Sequence, residues 1–259
     1  MIASSEASPG SDSNQPGSKK QRLDTALVHR QLVETREKAQ ALILSGKVRV
    51  DGQIADKPGR AVNNEARIDV EQPLKYVSRG AFKVEAALSS FDIRVEGRIC
   101  LDVGTSTGGF TDCLLQHGAA RVHAVDTGAG QIDWKLRTDA RVVLHEHVNA
   151  RYLKFEEIGE FADVITCDVS FISVTLLIPA LTALLKPDGD WIILVKPQFE
   201  VGRELVGKGG IVRDSRAHRF ACDKVTTVLE GAGFRTAVME SPLLGAKGNL
   251  EFLVHTRRI

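Results

Sequence analysis

The fold turns on the stretch CLDVGTSTGGFTDCLL, Cys100 to Leu115. An apolar entry, an acid, and then Gly104, Gly108 and Gly109 within six positions read as a strand passing through a tight loop into a helix. Loops of this kind hold nucleotides, and the spacing narrows the choice. No lysine follows the glycines, so the phosphate-gripping G-x-x-x-x-G-K-[ST] pattern is missing. The spacing G-x-x-x-G-G also differs from the dinucleotide fingerprint G-x-G-x-x-G. Asp126 closes the next strand about twenty residues on, where an acid accepts hydrogen bonds from ribose hydroxyls. Close backbone approach plus a ribose-binding acid suits an adenosine-bearing cofactor, and an S-adenosylmethionine site needs both features and no phosphate grip.

Outward from this loop, strand and helix signals alternate. RICLDVG reads as a strand and FTDCLLQHG as a helix stopped by Gly118. RVHAVDTG, RVVLHEHV and FADVITCDVS are further strands, VTLLIPALTALL a helix, and DWIILVKPQF a fifth strand. AHRFACDKVTTVLEGAGF is a helix, and NLEFLVHTR a final strand. Apolar strands alternating with helices predict an α/β fold, a Rossmann-like parallel sheet covered on both faces. Sites in such folds lie at the carboxyl ends of the strands.

A second region precedes residue 75. Helical spacing covers Leu23, Ala26, Leu27 and Leu32, and Thr35 is a good N-cap for a helix burying Ala39, Leu42 and Ile43. Gly46 stops that helix, KVRVDGQ is a strand ending in an Asp-Gly turn, and ARIDVEQP is another short strand. The expected organisation is a polar disordered tail (1–20), a small α+β module (21–73), a linker LKYV (74–77) and the α/β domain (78–259).

Of the 259 residues, 43% are hydrophobic and 26% charged, as in a soluble globular protein. The net charge of +1 excludes a uniformly basic coat but hides an asymmetry, for Lys19 to Arg49 holds eight basic residues against three acids. The four cysteines form no C-x-x-C pair and sit among apolar or small neighbours, as buried free thiols in a reducing cytoplasm do. No secretory signal opens the chain, and its most apolar run is too short to span a bilayer and contains Pro179. A cytoplasmic protein off the membrane, without a metal, is the expectation.

The remaining strand ends carry chemistry. Asp168 falls at the tip of the fourth strand, Lys196 at the tip of the fifth and Glu251 at the start of the last, while Lys83 lies on a helix leading into the sheet. Singly, each is most often a surface ion-pair member; together they gather two lysines and two carboxylates at one sheet edge.

The segments SRGAFK, LDVGTSTGGFTD, DVSFIS, LVKPQFEVGR and GNLEF resemble the TlyA family of rRNA 2′-O-methyltransferases, whose catalytic domain resembles FtsJ/RrmJ-type enzymes. The segment RLDTALVHRQLVETREKAQALILSGKVRVDG is similar to the ribosomal-protein S4-like RNA-binding domain. The resemblance implies a catalytic tetrad of Lys83, Asp168, Lys196 and Glu251. For S-adenosylmethionine it implies backbone contacts along Gly104 to Gly108, with Ser106 and Thr107 near the methionine moiety. Asp126 would take the ribose hydroxyls, Asn149 and Ala150 would meet the adenine, and Asp168 would lie beside the methionine amine. Arg22, Thr35, Arg36, Lys38, Lys47 and Arg49 would form an RNA-binding face, with ribosomal RNA or ribosomal subunits as partner and Tyr76 packed between the domains.

Lys196 is expected nearest the 2′-hydroxyl, either taking its proton or, still charged, steering its lone pair and stabilising developing charge. The chain ends at HTRRI directly after the last strand, similar to family members that act on large-subunit RNA alone; a monomer is expected. Three other readings compete: a haemolysin-like membrane-active protein, a non-catalytic ribosome-assembly factor and a dinucleotide oxidoreductase. No amphipathic basic helix supports the first, a binder has no need of Lys196 beside Asp168, and no hydride-transfer constellation follows the loop.

Overall fold

The computed structural model describes residues 20–71 and 75–259, and packing divides the chain between Pro73 and Leu74 into two units. The expected tail, through residue 19, and Leu74 of the expected linker lie outside the described residues.

In the first unit β1 (Gln21–Arg22) runs into α1 (Leu23–His29), which packs on α2 (Arg36–Leu44). Thr35 starts α2 from extended backbone, its hydroxyl accepting from the Lys38 N–H at 3.3 Å. Strands β2 (Val48–Val50) and β3 (Gln53–Ile54) are joined through Asp51 and Gly52 at φ 51° and 81°, the primed turn whose twist matches antiparallel strands. Strand β4 (Ala61–Val62) pairs with β1, and β5 (Ile68–Val70) completes the order β3-β2-β5. Leu23, Leu27, Ile43, Val48 and Val50 form the core of this unit. Two residues apiece are too few for an alternating pattern, which is why β1 and β4 escape a sequence reading.

The second unit holds α3 (Ala81–Ser90), β6 (Ile99–Val103), α4 (Gly109–Gln116), β7 (Arg121–Val125), α5 (Trp134–Arg137) and β8 (Val142–His145). It continues through α6 (Phe155–Ile158), β9 (Ala162–Cys167), α7 (Ile178–Thr182), β10 (Leu185–Val195) and α8 (Pro197–Glu200). The helix α9 (Ser215–Gly231) and strands β11 (Phe234–Glu240) and β12 (Phe252–Arg258) finish it. The sheet order is β11-β12-β10-β9-β6-β7-β8, with β12 antiparallel to both neighbours and the others parallel. Alternate residues of each central strand feed opposite cores. Ile193 and Val195 face the core that α9 covers, while Ile192 and Leu194 face the one covered by α3 and α4.

Two elements differ from expectation. The run VTLLIPALTALL is only partly helical: α7 is confined to Ile178–Thr182 with Pro179 in its first turn, and Leu185 already pairs with Ala162 in the sheet. A continuous apolar run satisfies a buried strand as well as a helix, so its period could not divide the two. The edge strand β11 was not foreseen, because it buries little beyond Phe234. Tyr76 is buried in the core of the second unit, edge-on to Phe82 with its hydroxyl donating to Glu85 at 2.8 Å.

Asp102 sits inside this sheet with no solvent exposure, its two oxygens accepting from the Thr111 and Thr166 hydroxyls at 2.7 and 2.9 Å. Burial pushes its carboxyl up to about 6 against the pull of those hydroxyls, and the nearby Asp168 charge adds to the rise. The folded state then holds this proton more tightly than the unfolded chain does. Stability is greatest below about pH 4 from this group and falls as pH rises through 6, by on the order of 2–3 kcal/mol. Asp102→Asn is expected to remove that component, flattening the fall in denaturation midpoint between about pH 4 and 6; an unchanged slope would mean the carboxyl holds its proton no more tightly in the fold than in the unfolded chain.

Candidate active site

Strand register builds the site. Val103 pairs with both Val125 and Cys167, which sets Gly104, Asp126 and Asp168 side by side just past the carboxyl ends of β6, β7 and β9. The strand order reverses between β6 and β9, the switch point where open α/β sheets bind ligands. On the other side Val195 pairs with Phe252 in antiparallel register, so Lys196 and Glu251 flank the same end of the sheet.

Two adjoining cavities open there. The first, about 470 Å³, is lined by Gly104, Ser106, Asp126, Asn149, Ala150 and Asp168 among others. Gly104 has φ 83°, and a side chain on it would collide with the Asp168 carbonyl. Asp126 accepts from the Ser106 and Gly128 N–H groups, both at 2.7 Å, which fixes its carboxylate at the rim. Asn149 is exposed and its side chain caps the short turn Ala150–Tyr152 by accepting from the Arg151 N–H at 3.1 Å. Two expected cofactor residues do not line this cavity. Gly108 (φ 92°) caps α4 with its Cα turned against Leu136 and Ile132, and the Thr107 carbonyl accepts from the Asp133 N–H at 3.1 Å.

The second cavity, about 360 Å³, is lined by Lys83, Lys196 and Glu251 and shares Ser170 and Phe171 with the first. Lys83 Nζ donates to Glu251 Oε2 at 2.5 Å, with both side chains nearly buried (11% and 2% exposed). Gly245 must lack a side chain, since a Cβ would overlap the Glu251 carboxylate. Lys196 Nζ lies 2.6 Å from Asp168 Oδ1 and donates to Ser170 Oγ at 2.8 Å. Asp168 Oδ1 is buried without a hydrogen bond of good angle, so that contact is ionic and the oxygen can still accept. The four residues thus form two ion pairs, with Asp168 facing the first cavity and the other three the second.

Sequence reading passed over Phe171, Ser170 and Gln131. Phe171 stands at φ 67°, 92% exposed, 5.3 Å from the Phe199 ring. A large apolar residue at a strand tip was the available signal.

In the first unit the expected basic residues are partly tied down. Asp24, fully buried, accepts from Arg22, Arg36 and Gln40 at 2.9 to 3.0 Å. The Arg22 guanidinium, aided by Gln40 and Arg36, holds its carboxyl far below the usual range despite burial. Both guanidiniums keep about half their exposure (52% and 54%), so Asp24 aims them without hiding them. Lys38 pairs with Glu34, Arg49 donates to the Gly52 carbonyl at 3.3 Å, Lys47 is half-buried, and Thr35 serves as the helix cap.

A Rossmann-like sheet with a glycine-bounded cavity, a rim carboxylate and the Asp168 carboxylate facing inward fits S-adenosylmethionine, and fold, site and family match together define an S-adenosylmethionine-dependent methyltransferase. Residues 76–258 match the FtsJ-like methyltransferase family and residues 21–68 the S4 domain. The chain belongs to the FtsJ-like methyltransferase family, with an S4 domain ahead of it. It is 45% identical over 239 residues to the 16S/23S rRNA (cytidine-2′-O)-methyltransferase TlyA of Mycobacterium tuberculosis (strain ATCC 25618 / H37Rv), covering 91% of this chain and 89% of that one. It is 43% identical over 236 residues to Hemolysin A of Brachyspira hyodysenteriae, covering 90% and 98%. A solved hemolysin candidate from Streptococcus thermophilus superposes with a TM-score of 0.70 at 41% identity, over 93% of this chain and 90% of that one. Among the described residues no helix is long and apolar enough to cross a membrane.

Gly104→Ala combines left-handed strain of about 1–2 kcal/mol with a backbone collision. It is expected to weaken S-adenosylmethionine binding by more than about tenfold in titration calorimetry. Unchanged affinity would remove this loop from the cofactor site.

Proposed function

We propose that this chain transfers the methyl group of S-adenosylmethionine to the ribose 2′-hydroxyl of a cytidine in ribosomal RNA, with large-subunit RNA the principal substrate. The single observation carrying this reading is the Lys83–Glu251 and Lys196–Asp168 pairs at the junction of two cavities, one suited to the cofactor and one open to a nucleotide. Related proteins supply the substrate class. The Mycobacterium tuberculosis relative is named for both 16S and 23S rRNA, and a Campylobacter jejuni relative, 36% identical over 188 residues, for 23S alone. The large-subunit RNA is common to both names. An rRNA substrate implies a cytoplasmic enzyme.

When bound, the cofactor supplies an electrophilic methyl on a sulfonium. Asp168, Gly104, Ser106 and Asp126 would hold it from the first cavity, with Ala150 and Asn149 at the adenine end. Lys196 would meet the nucleotide's 2′-oxygen from the second cavity. Its ammonium, already facing the Asp168 carboxylate and Ser170, turns a lone pair of that 2′-oxygen toward the first cavity and stabilises the charge that grows as the hydroxyl proton passes to solvent water. The Lys83–Glu251 pair buttresses that ammonium's cavity wall and keeps a second cation close to the developing alkoxide. Phe171 offers an exposed ring against which an extruded base can stack, an interaction worth about 1–3 kcal/mol. The first unit would grip phosphates with Arg22, Arg36, Lys38, Lys47 and Arg49, positioning RNA without reading its sequence.

The test is transfer of labelled methyl to unmodified bacterial ribosomal subunits and to naked rRNA. Wild type should label one cytidine, with the linkage resistant to alkali. Lys196→Ala should lower the rate about 10²–10⁴-fold while retaining cofactor affinity. Label in neither subunit nor naked RNA, with binding intact, would leave an assembly factor instead.

A further inference from the structure

Glu200 is a buried acid that neither cavity uses. It ends α8, four residues after Lys196, and is 5% exposed. Its Oε1 accepts from the Val174 N–H at 2.8 Å, and its Oε2 accepts from the Ser173 hydroxyl at 2.5 Å and pairs with Lys224 Nζ at 3.1 Å. Lys224, from α9, closes the knot by donating to the Glu200 carbonyl at 2.9 Å and to Ser173 Oγ at 3.3 Å.

These contacts join two arms that carry the reacting groups. One arm leaves β9 with Asp168, passes Phe171 and reaches Ser173 five residues later. The other leaves β10 with Lys196 and becomes α8. Ahead of the knot, the Phe171 and Phe199 rings meet at 5.3 Å, so the arms touch at front and back. Burying a carboxylate is costly unless it is paired and hydrogen-bonded. Three groups from two elements, the Ser173–Val174 turn and α9, each satisfy part of this one, and it is satisfied only when both arms stand in this relative position. A displacement of about 1 Å between a reacting group and its partner can cost 10²-fold in rate.

We propose that Glu200 is a positioning residue. With Lys224 it clamps the Asp168 arm to the Lys196 arm, and so sets both the Lys196–Asp168 contact and the wall, Ser170 and Phe171, that the two cavities share. Its effect on turnover rests on the methyl-transfer reading; its effect on the first cavity does not. The segment from Asp168 to Ile172 lines that cavity, so loosening the clamp must also be felt by the cofactor.

Three variants test this: Glu200→Gln, Glu200→Ala and Lys224→Met. Single-turnover methyl transfer to rRNA, cofactor affinity by calorimetry, rRNA affinity by filter binding and thermal midpoint are measured for each, well below the midpoint. Glu200→Ala is expected to lower kcat by about 100-fold and to weaken cofactor binding several-fold, with rRNA affinity unchanged. Glu200→Gln keeps an acceptor for the Val174 N–H and can donate its amide N–H to the Ser173 hydroxyl oxygen instead, so it should recover most of the cofactor affinity, with kcat about tenfold down. Lys224→Met should fall in the same direction as Glu200→Ala. A role confined to stability would lower the midpoint and leave kcat and cofactor affinity of the folded fraction intact, and that result overturns the clamp. So does wild-type behaviour of a folded Glu200→Gln and Lys224→Met. Should Glu200→Ala not fold, those two variants decide. If wild type methylates no RNA while cofactor affinity still drops in the variants, the rRNA reading fails and the clamp stands.

Discussion

Everything at the active end depends on the near-contact of two backbones. The β6 strand turns at Gly104 so close to the Asp168 carbonyl that no side chain fits between them. Because β6 and β9 lie side by side at the point where the strand order reverses, this approach shapes one cavity wall and places the carboxylate that meets Lys196. The antiparallel strand β12 supplies the other constraint. Its pairing of Phe252 with Val195 brings Glu251 back to the tip of β10 from more than fifty residues away in sequence. Two register relations, one parallel and one antiparallel, thereby hold Asp168, Lys196 and Glu251, to which α3 adds Lys83, a set that propensity alone would scatter over a surface.

Inside the site, opposite charges are matched rather than merely gathered. Lys83 and Glu251 are both nearly out of water, where an unpartnered charge would cost several kcal/mol. The pairs are held from outside as well: Gly245 vacates space for the Glu251 carboxylate, and Ser170 shares the Lys196 ammonium. A similar economy governs the small N-terminal unit, in which one buried Asp24 aims two half-exposed guanidiniums. The basic residues there are a surface organised by an acid, and counting positive charges does not reveal it.

Much of this was legible in the sequence, for identifiable reasons. The apolar strand, the glycines and Asp126 fix each other through strand register, so the loop's spacing carried the sheet edge with it. Lys196 and Asp168 stood out because each follows an apolar run at a strand tip. The misses share a physical cause. The run VTLLIPALTALL is apolar on every face, so no period marks where α7 stops and β10 begins. Gly108 and Thr107 sit inside the diagnostic motif, yet one packs on Leu136 and the other turns its carbonyl to Asp133. Asp24, Glu200 and Asp102 were invisible because a buried acid is recognised by its partners, which come from elsewhere in the chain.

The order in which the site's residues occur along the chain has a consequence for synthesis. The lining of the first cavity runs from Val103 to Leu177, whereas the second is closed by residues as late as Glu251. A chain emerging from the ribosome therefore exposes all the parts of its cofactor pocket well before the parts of its transfer site. Because β10, α9 and β12 complete the core behind that pocket, having every lining residue is not yet having a pocket, and the last strand made decides when either cavity can hold anything.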